Sequence, residues 1–213
     1  TYSYRAFNEL IDQTANMFLS QGVERGEHVA VQMHTCPEFL MCLFGLAKIG
    51  AVLVPMNEQY LQAECEYALD MCSTRRAVVE PCYVELYDAI HAGGRLDQGI
   101  IVARSESGKE AMGYPLFSEL VAAEGTELEV PSDLSPDDPC EILFTSGTTR
   151  HPKGAMYTHC NVVYGGLIHV MQMGMEHGDR FLSSMPCYHM DFQEMAAMPV
   201  ICTGSTLLMV EHY

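Results

Sequence analysis

Basic residues are scarce in this sequence. Its 213 residues include 11 Lys and Arg against 28 Asp and Glu, which gives a formal net charge of -17. A surface of that sign repels nucleic acid and anionic membranes, so neither is expected as a partner. No apolar run reaches the length of about 18 residues that a membrane-spanning helix needs, so no membrane span is expected. The N-terminus, TYSYRAFNEL, also lacks the charged-then-apolar pattern of a signal peptide.

The C-x-x-C spacing is missing although the sequence contains nine cysteines. Their number is odd, their spacings are wide, and most of them stand in apolar segments. This pattern favours neither a disulfide framework nor a zinc site. The cysteines are interpreted as small buried hydrophobic residues of a cytoplasmic protein kept in a reducing environment.

Strand and helix patterns alternate along the first half of the chain. Ser3 can cap a helix whose apolar residues recur at helical spacing as far as Leu19. Nearly all-apolar strands are predicted at 28–33, 51–55, 76–80 and 99–103, with helices from Pro37 to Gly50 and over 61–72 and 83–91 between them. Such strands indicate an α/β fold with mostly parallel sheets flanked by helices.

The second half begins with a loop at 104–116 and a short helix at 117–124. An acidic, proline-rich stretch at 125–139 is predicted to connect a first α/β subdomain (1–124) to a second α/β region (140–213). This region contains predicted strands at 141–145, 154–158, 179–185 and 205–210 and helices at 159–173 and 191–202. The sequence begins at Thr1 rather than Met and ends on a strand without a covering helix, so it is expected to be part of a longer chain.

The loop at 144–154, FTSGTTRHPKG, is the most informative segment. Four hydroxyl residues and one glycine occupy positions 145–149, and Lys153 follows Pro152. Small donors in a glycine turn form a concave nest that suits phosphate oxygens, and a lysine adds a point charge. Between Lys109 and Arg180, the only Lys or Arg residues are Arg150 and Lys153.

This loop differs from a Walker A motif, because glycine follows the lysine and a β-type segment follows the glycine. The predicted geometry is therefore strand–loop–strand, a flap over phosphates. A polar surface hairpin that happens to contain lysine is the alternative. Arg150 is interpreted as a solvated side chain at the loop tip, with an extra phosphate contact as the alternative, and His151 is treated in the same way.

FTSGTTRHPKG resembles the phosphate-binding signature of the AMP-forming adenylate superfamily, which includes acyl-CoA synthetases, luciferases and peptide-synthetase adenylation domains. The opening segment at 1–31, CPEFLMCLFGLAKIGAVLVPMN and MPCYHMDFQ also resemble family segments, in the same order. The resemblance covers essentially the whole chain and implies the N-terminal part of the large domain of an adenylate-forming enzyme. FTSGTT without a following glycine, MYTHCNVVYGG and MPCYHMDFQ are most similar to bacterial crotonobetaine/carnitine–CoA ligases.

The resemblance implies an ATP-dependent ligase that activates a carboxylate as an acyl-adenylate and passes it to coenzyme A. The implied ligands are ATP, Mg²⁺, coenzyme A and a small carboxylate, while the oligomeric state is left open. By the same resemblance the β- and γ-phosphates are held by Thr145, Ser146, Gly147, Thr148, Thr149 and Lys153. The Thr145 hydroxyl is also implied as a magnesium contact.

The MPCYHMDFQ segment is implied to contribute Tyr188 and His189 to the acyl pocket, with a capping or core histidine as the alternative for His189. Tyr188 or Phe192 could face a quaternary ammonium by cation–π attraction. Asp191 could supply a counter-charge, although capping the following helix is its simpler role.

The family's adenine-binding segment, ribose-binding aspartate and catalytic lysine have no match in residues 1–213, and all are expected downstream. No catalytic residue is therefore assigned here, and this segment alone is expected to be inactive. The alternatives are an adenylation domain that loads a carrier protein and a non-catalytic paralogue that binds nucleotide.

Overall fold

A computed structural model describes residues 1–105, 109–145 and 152–210. These residues contain one six-stranded sheet in the order β4-β3-β1-β2-β5-β6 and one two-stranded sheet, β7-β8. The strands are β1 His28–Gln32, β2 Val52–Pro55, β3 Arg76–Val79, β4 Gly99–Val102, β5 Pro139–Phe144, β6 Gly154–Thr158, β7 Arg180–Ser183 and β8 Thr206–Met209. All neighbouring pairs are parallel except the β5–β6 hairpin.

Helices connect the strands and cover the large sheet. They are α1 Tyr4–Ser20, α2 Pro37–Ile49, α3 Gln62–Met71, α4 Val84–Ala92, α5 Phe117–Ala122, α6 His159–Met173, α7 Met190–Phe192 and α8 Met198–Thr203. A 3₁₀ turn, Pro81–Tyr83, precedes α4, and a π-helical segment, Gln193–Ala197, joins α7 to α8. Every helix in the described ranges is too short or too polar to cross a lipid bilayer.

Strands β1 to β5 of the large sheet are buried on both faces, whereas the edge strand β6 is partly exposed. This arrangement confirms the predicted mostly parallel α/β fold. Side chains alternate across β1, so Val29 and Val31 pack against α1 and α2, whereas Ala30 packs against α3 and α4. Burial on both faces explains why the first four strands are almost continuously apolar in sequence.

Local signals place the helix ends where the sequence predicts them. The Ser3 hydroxyl accepts a hydrogen bond from the Ala6 N–H at 3.2 Å and caps α1. Gly50 ends α2 in a left-handed conformation with φ of 75°. A Cβ atom at this position would also lie 2.9 Å from Leu134 Cδ2, so both backbone and packing favour glycine there.

The helix predicted over 191–202 is confirmed as a continuous helical run from Met190 to Thr203, although its π-helical stretch was not predicted. The segment is divided into α7, the π-helical Gln193–Ala197 and α8. Pro199 has no N–H to donate within a regular helix, and its ring would crowd the carbonyl of residue 195. The wider π turn before it accommodates both effects.

The strand order creates a crossover at β1. After β1 the chain forms β2, which pairs with one edge of β1. It then crosses over β1 and forms β3, which pairs with the opposite edge of β1. Strands from both sides of segment 125–139 belong to the large sheet, because β5 pairs with β2. The division at 125–139 stays a prediction.

Candidate nucleotide-binding site

The ends of the hydroxyl-rich loop lie side by side at the open end of the β5–β6 hairpin. Phe144 pairs with Gly154, and beyond that pair the Thr145 N–H donates to the Lys153 carbonyl at 2.9 Å. Both Thr145 and Lys153 are exposed. The predicted phosphate contacts Ser146, Gly147, Thr148 and Thr149, together with Arg150 and His151, lie outside the described residues. The structure thus places the first and last predicted phosphate contacts opposite each other, directly beyond the paired ends of β5 and β6.

Close packing explains why glycine follows the lysine. A Cβ atom on Gly154 would lie 2.8 Å from Ile142 Cγ2 and 3.2 Å from Met71 Cε. Tyr67 of α3 also donates its hydroxyl hydrogen to the Pro152 carbonyl at 3.2 Å. The base of the loop is therefore packed onto the large sheet and α3, and this packing fixes where Lys153 leaves it.

Charge at this end of the hairpin suits an anion. Lys153 forms no ion pair with any of the described residues, although the protein carries an excess of acidic side chains. An exposed ammonium group without a carboxylate partner is available to phosphate oxygens. The neighbouring Thr145 hydroxyl is a hard oxygen donor of the kind that Mg²⁺ accepts. These two side chains fit a magnesium-bound polyphosphate.

The MPCYH segment is held against the loop that follows β1. Cys187 is buried, and its thiol donates to the Met33 carbonyl at 3.3 Å. The Thr35 hydroxyl donates to the Met185 carbonyl at 2.9 Å. On the opposite side, the Gln193 amide donates to the Cys187 carbonyl at 3.1 Å. This anchoring fixes the backbone that carries Tyr188 and His189.

His189, rather than Asp191, is the N-cap of α7. Its Nδ1 accepts a hydrogen bond from the Asp191 N–H at 3.3 Å, and an oxygen of the Asp191 carboxylate lies 3.4 Å from the same nitrogen. Both side chains are about half exposed. The interpretation of Asp191 as the N-cap is therefore wrong, and its carboxylate is instead the neighbour of the imidazole.

Of the two aromatic side chains considered for cation–π contact, Tyr188 alone is accessible. Tyr188 is partly buried, and burial followed by the charge of Glu58 raises its pKa. Phe192 has no exposed surface and belongs to the core on the α1–α2 face of the sheet. Phe192 consequently cannot face a bound cation, because core packing covers the whole ring.

A contact that sequence reasoning missed joins the hairpin to the pocket segment. The Tyr157 hydroxyl on β6 lies 3.0 Å from the Met190 sulfur, directly after His189. Burial raises the pKa of Tyr157 and keeps the phenol protonated. The strand that follows Lys153 and the segment that contains Tyr188 and His189 are therefore neighbours in the fold.

Glu141 of β5 is a second residue that sequence reasoning missed. Its side chain is almost fully buried, and burial raises its pKa to about 8. The nearby Gln193 side chain partly opposes this rise in pKa. The signal in the sequence was an acidic residue inside the apolar run CEILF. This pair connects the strand before the loop to the π-helical segment after His189.

The described strands and helices define a mostly parallel α/β protein. The AMP-binding enzyme family matches residues 1–213, and the chain belongs to this family. A crotonobetaine/carnitine–CoA ligase of Salmonella paratyphi A is 39% identical over 212 residues, which cover 100% of this chain and 41% of that protein. The corresponding ligase of Salmonella typhimurium is 37% identical with the same coverage. The chain thus spans about two fifths of the length of these relatives.

Solved structures agree on the fold. The anthranilate CoA ligase AuaEII in complex with anthranoyl-AMP superposes with a TM-score of 0.88 at 24% identity, over 98% of this chain and 40% of that one. ATP-bound MatB from Rhodopseudomonas palustris gives a TM-score of 0.82 at 23% identity, over 99% of this chain and 40% of that one. The architecture is that of the N-terminal region of acyl-CoA ligases.

Proposed function

We propose that the chain is the N-terminal part of an ATP-dependent acyl-CoA ligase, which forms an acyl-adenylate and transfers the acyl group to coenzyme A. The observation that carries this proposal is the contact of the β5–β6 hairpin with the pocket segment. Thr145 and Lys153 lie at the exposed end of that hairpin, and Tyr157 of the same hairpin touches Met190. A phosphate-binding loop beside a substrate segment suits attack of a carboxylate on a nucleotide.

In this proposal the hairpin positions phosphate and neutralises charge. Lys153 pairs with the β- and γ-phosphate oxygens, and the hydroxyl and backbone donors of Ser146, Gly147, Thr148 and Thr149 surround them. ATP supplies the adenylyl group, and Mg²⁺, with the Thr145 hydroxyl among its contacts, balances the charge of the leaving pyrophosphate. The residues of this chain hold and orient the reactants, since such transfer depends on positioning more than on a protein nucleophile.

Tyr188 and His189 line the acyl pocket in the proposed ligase, and its substrate is carnitine or crotonobetaine. The names of the bacterial relatives at 37–39% identity support this substrate. The site offers two features that attract a quaternary ammonium. The partly exposed Tyr188 can take a cation–π contact, and the half-exposed carboxylate of Asp191 provides a negative charge.

The remaining machinery is proposed to lie in the part of the ligase that corresponds to the other three fifths of its relatives. There we place the catalytic lysine and the adenine-binding segment, so residues 1–213 alone are expected to be inactive. We also propose a division of the chain into a first α/β subdomain at 1–124, a connector at 125–139 and an ATP-binding region at 140–213. The proposed location of the protein is the cytoplasm.

Carboxylate-dependent ATP–pyrophosphate exchange by the whole protein tests this proposal, with residues 1–213 as the control. The acids are carnitine, crotonobetaine, γ-butyrobetaine and simple short- and medium-chain acids. Exchange that depends on the betaines alone is expected. Exchange with plain fatty acids alone would contradict the substrate and keep the ligase chemistry. No exchange with any acid would contradict the proposed activity itself.

A further inference from the structure

A second cluster of chemically active side chains lies at the crossover of the large sheet. His34 follows β1, Glu80 and Cys82 follow β3, and Arg104 follows β4, so all four stand at the carboxyl ends of neighbouring parallel strands. The chain leaves β1 toward β2 on one side and pairs β3 with β1 on the other. In open α/β sheets, the crevice at such a crossover is where ligands commonly bind.

Three of these side chains converge on one point. A ring nitrogen of His34, a carboxylate oxygen of Glu80 and the Cys82 sulfur all lie within 4.8 Å of one another. His34 Nδ1 is 2.5 Å from Glu80 Oε2, and the Cys82 sulfur is 4.0 Å from the same oxygen. Nitrogen, oxygen and sulfur donors in one group match the ligand preferences of Zn²⁺ and Co²⁺.

Neighbouring residues hold the Glu80 carboxylate and the His34 ring in place. Glu80 is buried, and Arg104 donates to its Oε1 at 2.6 Å, so its Oε2 is the oxygen directed at His34 and Cys82. The Tyr83 ring stacks on the imidazole of His34 with centroids 5.8 Å apart. Partners of this kind orient metal ligands in known metal sites.

The competing explanation is that His34, Glu80 and Arg104 form an ordinary ion-paired group. That explanation does not account for the nearby cysteine. Cys82 is exposed on the 3₁₀ turn, and its sulfur nonetheless points to the shared carboxylate oxygen. The positive charge of Arg104 opposes a cation, whereas a Cys82 thiolate and the Glu80 carboxylate together favour one. The affinity is therefore expected to be lower than that of a structural zinc site with four protein ligands.

We propose that His34, Glu80 and Cys82 form a binding site for a divalent transition metal of the zinc type. The three side chains supply one nitrogen, one oxygen and one sulfur ligand. When the metal binds, the Cys82 thiol releases its proton to solvent. A proton on the coordinating nitrogen of His34 is released in the same way. The loop that contains His34 also anchors the MPCYH segment through Met33 and Thr35. The proposed metal binding itself does not depend on the proposed ligase activity.

Titration of the reduced, chelator-treated protein with Co²⁺ tests this site by absorbance. A saturable one-to-one complex with a thiolate-to-cobalt charge-transfer band is expected, and Zn²⁺ should displace the cobalt. Cys82→Ser should abolish the band. Cys202→Ser is the matched control, because Cys202 is also exposed but lies far along the chain in α8, and it should leave the band unchanged.

His34→Gln is expected to weaken binding by about 10-fold or more, since it removes one of three ligands while keeping the size of the side chain. Circular dichroism of each variant checks that the fold is retained, and Cys82→Ser is the decisive variant because its side chain is exposed. The proposal would be overturned if every variant bound several cobalt ions to the same extent. It would also be overturned if the thiolate-to-cobalt charge-transfer band persisted in Cys82→Ser.

Discussion

At the scale of single residues, Lys153 is the cation on which the proposed phosphate site depends. It is exposed next to Thr145, and it has no acidic partner among the described residues. Removing its charge should act on nucleotide handling rather than on the fold, because an exposed side chain contributes little to the core.

Lys153→Met is expected to lower the rate of ATP–pyrophosphate exchange by about 10- to 100-fold, since a hydrogen bond to a charged group is worth about 1.5–3 kcal/mol. The unfolding midpoint should stay close to that of the unchanged protein. Lys109→Met is the control, because Lys109 is also exposed but lies outside the hairpin. Equal losses in the two variants would argue against a specific role for Lys153.

Burial of the Glu141 carboxyl makes stability depend on pH. Burial raises the pKa of this carboxyl to about 8 in the folded protein, with the nearby Gln193 side chain opposing the shift. An exposed glutamate in the unfolded chain has a pKa of about 4.3. The folded state therefore binds this proton more tightly, and the resulting stability is complete at low pH and is lost as pH rises through about 8.

Glu141→Gln should flatten the dependence of stability on pH. Between pH 5.5 and pH 8, the unchanged protein should lose on the order of 2–3 kcal/mol of unfolding free energy relative to the variant. Urea unfolding at both pH values measures this difference. Exposed Glu129→Gln is the control and should keep the original slope. A slope that is unchanged by Glu141→Gln would mean that the carboxyl is not held protonated by burial.

At the scale of elements, α6 approaches its neighbours through two adjacent glycines. A Cβ atom on Gly166 would lie 2.6 Å from Met198 Cβ in α8. A Cβ atom on Gly165 would lie 2.6 Å from an oxygen of the Glu194 carboxylate. The first neighbour is fixed to a helix backbone, whereas the second is the end of a side chain that can rotate away.

Gly166→Ala should therefore destabilise the protein by about 1–3 kcal/mol, because α6 and α8 have to separate. Gly165→Ala should be close to neutral, since the gain of about 1 kcal/mol in helix propensity offsets the movement of Glu194. Thermal or urea unfolding of the two variants compares them directly. A larger loss in Gly165→Ala than in Gly166→Ala would contradict this account of the α6–α8 contact.

At the scale of the whole molecule, each of the three hydrophobic clusters contains at least one cysteine. Cys36, Cys42 and Cys187 lie in the cluster on the α1–α2 face, Cys65 and Cys72 lie on the α3–α4 face, and Cys140 packs with Val162 and Met198. All nine are free thiols, and six of them are buried. This agrees with their interpretation from sequence as small hydrophobic residues.

Brief alkylation of the native protein should modify Cys82 and Cys202 first, because both are exposed. Burial raises the pKa of Cys65 and Cys140 to about 12 each, so these thiols should react only after unfolding. Mass spectrometry across a urea series measures each site. One common midpoint for the six buried cysteines is expected if the clusters unfold together. A separate midpoint for Cys140 would instead support the predicted boundary at 125–139.

The sequence by itself determined the fold class and the family. Apolar strands that alternate with amphipathic helices are local patterns, and they predicted the parallel sheet and most element positions to within a few residues. The strands on both sides of FTSGTTRHPKG, β5 and β6, were likewise predicted from local apolar patterns. Local patterns also predicted the helix over 191–202, but they did not predict its π-helical stretch Gln193–Ala197.

Only the tertiary structure decided which distant residues meet. The Tyr157–Met190 contact, the Glu141–Gln193 pair and the burial of Phe192 depend on how β5, β6 and α7 pack. His34, Glu80 and Cys82 have no metal-site spacing in the sequence, and the cysteine pattern argued against zinc. They converge because β1 and β3 are neighbours in the sheet although β2 lies between them in sequence. Strand order is set by packing over the whole domain, and a local pattern does not encode it.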